Sequence, residues 1–364
     1  MANKNQFNPD YIVPPGETLE ELLEYYDMTQ AELAERTGRT PKLINEIIKG
    51  KAALTPETAL QFEHVFGVEA DFWNNLENNY RQMLARKKNE EQLKEQLDFW
   101  SNFPVKFMTK NGWLKAEKDK TKQLKELLSF FGVASFKAWK VVWSEVFNQP
   151  EAAFRKTEAF PSNSESIAVW LRKGELEARN INCASYDEKK FKESLKEIRL
   201  LTDENPETFI PKLTEICAEA GVAVVFVLET PGSRVSGATT WNGKKPIIIL
   251  SFRYRTNDHL WFTFFHEAGH ILKHSKKITF LEFKDNIDEY EEEEADQFAS
   301  TTLIPSKKYS EFIKKRDFKE QAIIAFAEEV NIAPGVVLGR LQYDGHIPYP
   351  TRLNRLKRSY TWAN

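Results

Sequence analysis

Residues 258–274 read D-H-L-W-F-T-F-F-H-E-A-G-H-I-L-K-H, and the reading of the whole chain turns on this stretch. Its apolar positions Leu260, Trp261, Phe264, Phe265, Ala268 and Ile271 recur at three- and four-residue steps, which predicts a helix with a broad apolar face. On such a helix His266 and His270 lie about 40° apart around the axis and about 6 Å apart along it. Both imidazoles can then converge on one ion. Zn–N bonds of about 2.1 Å place two ligand nitrogens about 3.4 Å apart, within rotamer reach of an i, i+4 pair. The element H-E-x-x-H is therefore predicted to be a metal site, with Glu267 beside the first ligand as the acid/base group.

A hydrolytic metal site needs a third protein donor and an open position for water. His274 continues the same face about 12 Å along the axis from His266, too far to share one tetrahedral centre. It reads as a neighbour in the pocket or as a cation at the helix C-terminus. The run E-E-E-E-A-D at 291–296 opens a second amphipathic helix. Zinc peptidases of the gluzincin type take their third donor from a Glu followed four residues later by Asp or Asn, and Glu292 with Asp296 resembles that arrangement. Glu292 is the expected ligand and Asp296 the group that holds a ligand imidazole from behind. Glu294, roughly 200° around the helix, is the alternative. A zinc ion held there lowers the pKa of water towards about 7, and Glu267 takes up the proton and passes it to a leaving amine. Tyr254, His259, Tyr290 and His346 are candidates for an oxyanion donor, and spacing does not choose among them. The apolar strand 245–250 either pairs its edge with an extended peptide or lies inside the core.

Outward from this segment, the composition bounds the answer. With 364 residues the chain is long enough for two to three domains, each with its own core. The 51 Lys and Arg nearly balance 54 Asp and Glu, so no global positive field gathers nucleic acid or an anionic membrane. Any DNA contact must be local. Only Cys183 and Cys217 are present, which excludes a disulfide framework or a thiolate zinc site. Residues 1–17 lack a signal-peptide pattern, and apolar runs such as 222–228 are far shorter than a membrane span of about 20 residues. A cytoplasmic protein without membrane contact is expected.

Three zones follow. Residues 1–85 read as short helices with start signals at Thr29, at Thr40 with Pro41, and at Thr55 with Pro56. Residues 86–205 are rich in Lys, Glu, Phe and Trp and read as a helical connector. Residues 206–364 carry β-branched runs at 221–228 and 247–251 around a turn-rich stretch at 231–245, then helical patterns at 261–274, 290–303 and 320–330. That order indicates an α+β domain.

In the first zone, residues 29–36, a turn at Gly38, and residues 40–49 have the lengths of a helix-turn-helix, with Leu33, Ala34, Ile44 and Ile47 as its seam. Residues 36–51 carry five cations against Glu46 alone. Arg39, Thr40, Lys42, Asn45 and Lys49 are the expected DNA-binding residues. Acidic neighbours such as Glu20, Glu21 and Glu24 keep the electrostatic contribution small, so a homodimer on an operator is expected.

From Pro14 to Tyr80, with T-Q-A-E-L-A-E-R-T-G at Thr29, T-P-E-T-A-L at Thr55 and the final Phe72 with Trp73, the chain resembles the HigA-type helix-turn-helix of the xenobiotic-response-element repressor group. From about Phe160 to Pro305 the chain is similar to the ImmA/IrrE metallo-endopeptidases, through G-A-T-T-W at Gly237, the histidine segment at 258–274 and E-E-E-E-A-D-Q-F-A at Glu291. Together these cover well over half the chain. The resemblance implies a zincin-like domain with one zinc ion per chain on His266, His270 and Glu292, and Glu267 as general base. Four consecutive Glu allow the downstream element to be aligned more than one way. The resemblance also implies a protein substrate, a repressor or partner regulator or the chain itself. Two other readings remain: a repressor or antitoxin whose metal site is only a sensor or structural relic, and a protease whose helical module recruits protein instead of DNA.

Overall fold

A computed structural model describes residues 13–147, 163–274, 280–281 and 289–361. Residues 1–12 of the amino-terminal segment and 148–162 of the connector lie outside the described residues. The chain is multidomain and mostly helical, dividing into two compact units, residues 1–98 and 99–364.

In the first unit α1 (Pro15–Tyr25), α2 (Gln30–Thr37), α3 (Pro41–Ile48) and α4 (Pro56–Phe66) are followed by the long α5 (Ala70–Lys94), which runs through residue 85 without a break. Local chemistry sets the ends. Thr29 forms a capping box with Glu32, Thr40 caps α3 by accepting from Leu43 N, and Thr55 accepts from Thr58 N. Gly38, at φ 65°, closes α2 in the left-handed region. Leu19, Leu33, Ile44, Phe62 and Trp73 are fully buried and join the helices into one core. Gly16 is where α1 meets α3: a methyl group there would sit 2.0 Å from the Ile48 carbonyl oxygen.

The second unit begins with α6 (Val105–Lys110), α7 (Lys120–Phe131) and α8 (Phe136–Phe147), gathered around Phe103, Phe131 and Trp139 at ring separations of 5.2 to 5.7 Å. Next come α9 (Ser164–Arg179), α10 (Glu188–Ile198) and α11 (Pro206–Glu219). A four-stranded mixed sheet follows in the order β1-β3-β2-β4, built from β1 (Ala223–Phe226), β2 (Gly237–Asn242), β3 (Lys245–Leu250) and β4 (Phe280–Leu281). β1 and β3 are parallel, with Val224 opposite Ile248, while β2 is antiparallel to both β3 and β4. One expectation changes here, and one pair of alternatives is decided. The turn-rich stretch 231–245 contains β2, whose Thr239 and Thr240 are buried because the strand pairs on both sides. β3 lies inside the sheet, both of its edges already paired, so it offers none to a peptide.

α12 (Asn257–Lys273) packs on the sheet and against α13 (Glu289–Leu303) and α16 (Pro334–Tyr343), with α14 (Ser306–Lys314) and α15 (Glu320–Val330) in between in sequence. Phe264, Phe265 and Ala268 of α12 share one core with Ile248, Leu250, Ala299 and Leu303. Residues 357–360 strap its N-terminus: Asn257 N donates to Arg358 O at 2.9 Å, Tyr360 N donates to Arg255 O at 2.7 Å, and Lys357 Nζ lies 2.6 Å from Asp258 Oδ2. Among the described residues no single helix is long and apolar enough to cross a membrane.

Candidate functional site

The middle of α12 lies inside the core, so the polar residues there are buried: Glu267 is fully buried and His266 and His270 are each 2% exposed, while His259 and Lys273 near its ends are exposed. Buried polar groups need partners. Those of the histidines come from the facing helix α13. Gly269 and Ala295 let the two helices approach: a methyl at Gly269 would lie 3.2 Å from Ala295 Cα and from the Phe298 ring.

This close packing brings one carboxylate onto both imidazoles. Glu292 Oε2 lies 3.1 Å from His266 Nε2, and Glu292 Oε1 lies 3.4 Å from His270 Nε2. The two Nε2 atoms are 2.9 Å apart, and one donor atom from each of the three residues lies within 4.8 Å of the others. Asp296, one turn beyond Glu292, places Oδ1 2.8 Å from His266 Nδ1. Glu294 points elsewhere, to Lys273 Nζ at 3.3 Å and His274 Nε2 at 3.3 Å.

The electrostatics fit a buried cation. Burial works against a charged His266, but hydrogen bonds with Asp296 and Glu292 outweigh it and raise the pKa well above its ordinary value. At His270 burial wins and the pKa falls. Burial alone would raise Glu292, yet the two imidazoles hold its pKa down to about 2. One carboxylate and two imidazole nitrogens thus converge on one point. Two nitrogens and an oxygen form a donor set suited to zinc, and their spacing allows simultaneous ligation.

Glu267 faces β2. The Thr239 hydroxyl lies 2.6 Å from its Oε2 and 3.0 Å from its backbone oxygen, so this hydroxyl fixes the carboxylate's orientation. Gly237, on the same strand, leaves room for it: a methyl there would come within 2.8 Å of Glu267 Oε1. Sequence reasoning missed Thr239. It stands within the G-A-T-T-W element, but nothing in the spacing pairs it with Glu267. His274 was also unforeseen as a partner of His270, to which it approaches at 2.8 Å, Nδ1 to Nδ1.

The oxyanion candidates are spread apart. Tyr254 and His259 stack at 4.3 Å and line a small cavity with Ser236 and Thr263. Tyr290 is 72% exposed, and His346 lies against Phe318 at 5.4 Å.

In the first unit α2, the turn at Gly38 and α3 form a helix-turn-helix. Thr40, Lys42 and Lys49 are exposed, and Arg39 and Asn45 are half-buried. Arg39 donates from Nε to Gln61 Oε1 at 2.7 Å, Thr40 caps α3, and Lys42 lies 3.9 Å from Glu46.

Comparison with known proteins matches each unit separately. The helix-turn-helix family model covers residues 19–73, and the model for the IrrE N-terminal-like domain covers residues 217–342. The uncharacterized HTH-type transcriptional regulator YddM of Escherichia coli (strain K12) is 33% identical over 73 residues, 20% of this chain and 78% of that protein. Virulence-associated protein I of Dichelobacter nodosus is 32% identical over 87 residues, 24% of this chain and 78% of that protein. Among solved structures, an addiction module antidote protein of a HigA family from Coxiella burnetii is 30% identical, covering 23% of this chain and 94% of its own, with a TM-score of 0.22.

Proposed function

Because the chain belongs to the helix-turn-helix regulator family through residues 19–73 and carries an IrrE N-terminal-like domain over residues 217–342, we propose that it is a DNA-binding regulator fused to a zinc-dependent endopeptidase. The observation that carries this reading is the convergence of His266, His270 and Glu292 within 4.8 Å, beside a buried carboxylate, Glu267, held by Thr239.

His266 and His270 through Nε2, and Glu292 through its carboxylate, would hold one zinc ion per chain. Bound there, zinc supplies Lewis-acid activation of water and of a peptide carbonyl. Asp296 keeps the His266 ring oriented, with hydrogen on Nδ1 and the lone pair of Nε2 turned inward. Glu267 takes the proton of the attacking water as the new C–O bond forms, and then delivers it to the departing amine as the peptide C–N bond breaks. Thr239 holds Glu267 in place for both transfers. The substrate is a protein, a partner regulator or the chain itself.

The helix-turn-helix presents Lys42, Asn45 and Lys49 of the second-helix region to an operator, with Arg39 and Thr40 at its start, and a homodimer in the cytoplasm reads two half-sites. Titrating salt against binding to the protein's own promoter tests this part. Replacement of Lys42 and Asn45 by Ala should weaken binding, and unchanged affinity counts against groove reading.

The experiment for the peptidase compares wild type with Glu267→Gln in cells, measuring bound zinc and searching by mass spectrometry for fragments of regulators and of the chain. The variant should keep its zinc and lose cleavage by about 10²-fold or more. Absence of any fragment with the wild type overturns the reading.

A further inference from the structure

Each imidazole in the cluster turns one nitrogen inward, so the other must be held from outside. For His266 the outer partner is a carboxylate oxygen, an acceptor for hydrogen on Nδ1, which leaves Nε2 as the nitrogen that would ligate a metal. At His270 the outer partner is a third imidazole, with His274 Nδ1 2.8 Å from His270 Nδ1.

A contact between two neutral imidazole nitrogens contains one hydrogen, and the pair alone does not say which ring carries it. If His274 supplied it, the neutral His270 ring would carry its own hydrogen on Nε2 and present that, not a lone pair, to the cluster. Glu294 breaks the tie. Its Oε2 lies at an ion-pair distance of 3.3 Å from His274 Nε2, and the carboxylate's charge favours hydrogen on that nitrogen over Nδ1. The Nδ1 of His274 then has a lone pair, accepts from His270 Nδ1–H, and leaves the Nε2 lone pair of His270 directed inward.

The local backbone makes this possible. His274 ends α12 in an extended conformation, φ −112° and ψ 173°, while its N–H still donates to His270 O at 3.1 Å. The ring therefore folds back over the preceding turn instead of continuing along the axis. Its side chain is 3% exposed, which keeps water from competing. Lys273 Nζ lies 3.3 Å from Oε1 of Glu294, while His274 meets Oε2.

Resting on the reading of the cluster as a zinc site, we propose that His274 and Glu294 are positioning residues for His270, acting in series: Glu294 sets the tautomer of His274, and His274 sets that of His270. Glu294 thereby serves the site from two residues behind the ligand.

Zinc affinity of the full-length protein, measured by competition with a chromophoric chelator, tests the relay without needing a substrate. His274→Phe keeps a ring but removes the acceptor and should weaken zinc binding about 10- to 100-fold. His274→Asn, whose amide oxygen can stand where Nδ1 stood, should recover most of that loss. Glu294→Ala, on the more exposed end of the chain of contacts, should weaken binding in the wild-type background and add nothing in the His274→Phe background. Thermal unfolding of the metal-free proteins shows which variants keep the fold; if His274→Phe does not, wild-type affinity in Glu294→Ala overturns the proposal. Wild-type affinity in His274→Phe, or losses that simply add, also overturns it. If the wild type binds no zinc, the metal reading falls and the relay with it, an outcome distinct from zinc binding that the variants leave unchanged.

Discussion

Glu292 is held as an anion by two rings, and this has a measurable sign. In the metal-free protein its pKa of about 2 lies below the ordinary 4.5, so between those values the unfolded chain binds more protons than the folded one. The contribution is complete above about pH 4.5 and drains away as the pH falls towards 2. Metal-free wild type should therefore unfold at a higher temperature than Glu292→Gln near pH 6, and the margin should shrink as the pH is lowered to about 3. A margin that stays constant across that range would refute the ion-pair account. Asp296 differs in kind: it touches His266 from the outer side, so Asp296→Asn should reduce zinc affinity about 10- to 100-fold. The same measurement on both residues separates a donor from an orienting group.

Among the elements, α3 and α1 meet at a point where backbone touches backbone. Gly16→Ala gains helix propensity of at most about 1 kcal/mol, but the new methyl would lie 2.0 Å from the Ile48 carbonyl. Overpacking of this kind costs about 1–3 kcal/mol, and here the neighbour is main chain and yields little. The clash should win. Chemical denaturation of the protein should show the first unit destabilised, with promoter affinity falling in parallel. Elements also show what could be read in advance. The starts of α2, α3 and α4 were legible because a Thr cap, joined at α3 and α4 by a Pro one residue later, acts within a single turn. The histidine pair was legible because four residues on a helix set its geometry. β2 was hidden: Gly237 and Asn242 at its ends and Gly243 just beyond look like turn residues, and only pairing with β3 and β4 makes the stretch a strand. The Thr239 contact with Glu267 and the return of the His274 ring were hidden for the same reason, since each depends on an angle or a neighbour that spacing does not encode.

At the scale of the whole molecule, the second unit depends on contacts between distant parts of the chain. Lys357 and Asp258 form an ion pair whose side chains are 10% and 8% exposed. Removing one partner of a buried pair strands the other charge, so Lys357→Ala should destabilise this unit by about 3–5 kcal/mol, read from its thermal unfolding. Replacing both, as Asp258→Leu with Lys357→Met, should restore much of the loss, because no charge is then left buried alone. Equal damage from the single and the double replacement would show that the strap works through shape instead. The fold class was legible from the change of periodicity along the chain. The strap was not, because nothing local in residues 357–360 names its partner.

That strap also dictates a timetable. Asn257 accepts from Arg358 N, 101 positions later in the chain, so a ribosome exposes the H-E-A-G-H segment well before the residues that fasten the start of its helix exist. A growing polypeptide therefore carries the start of this helix unfastened until everything through Tyr360 has been made, and the strap is among the last parts of this unit that can close.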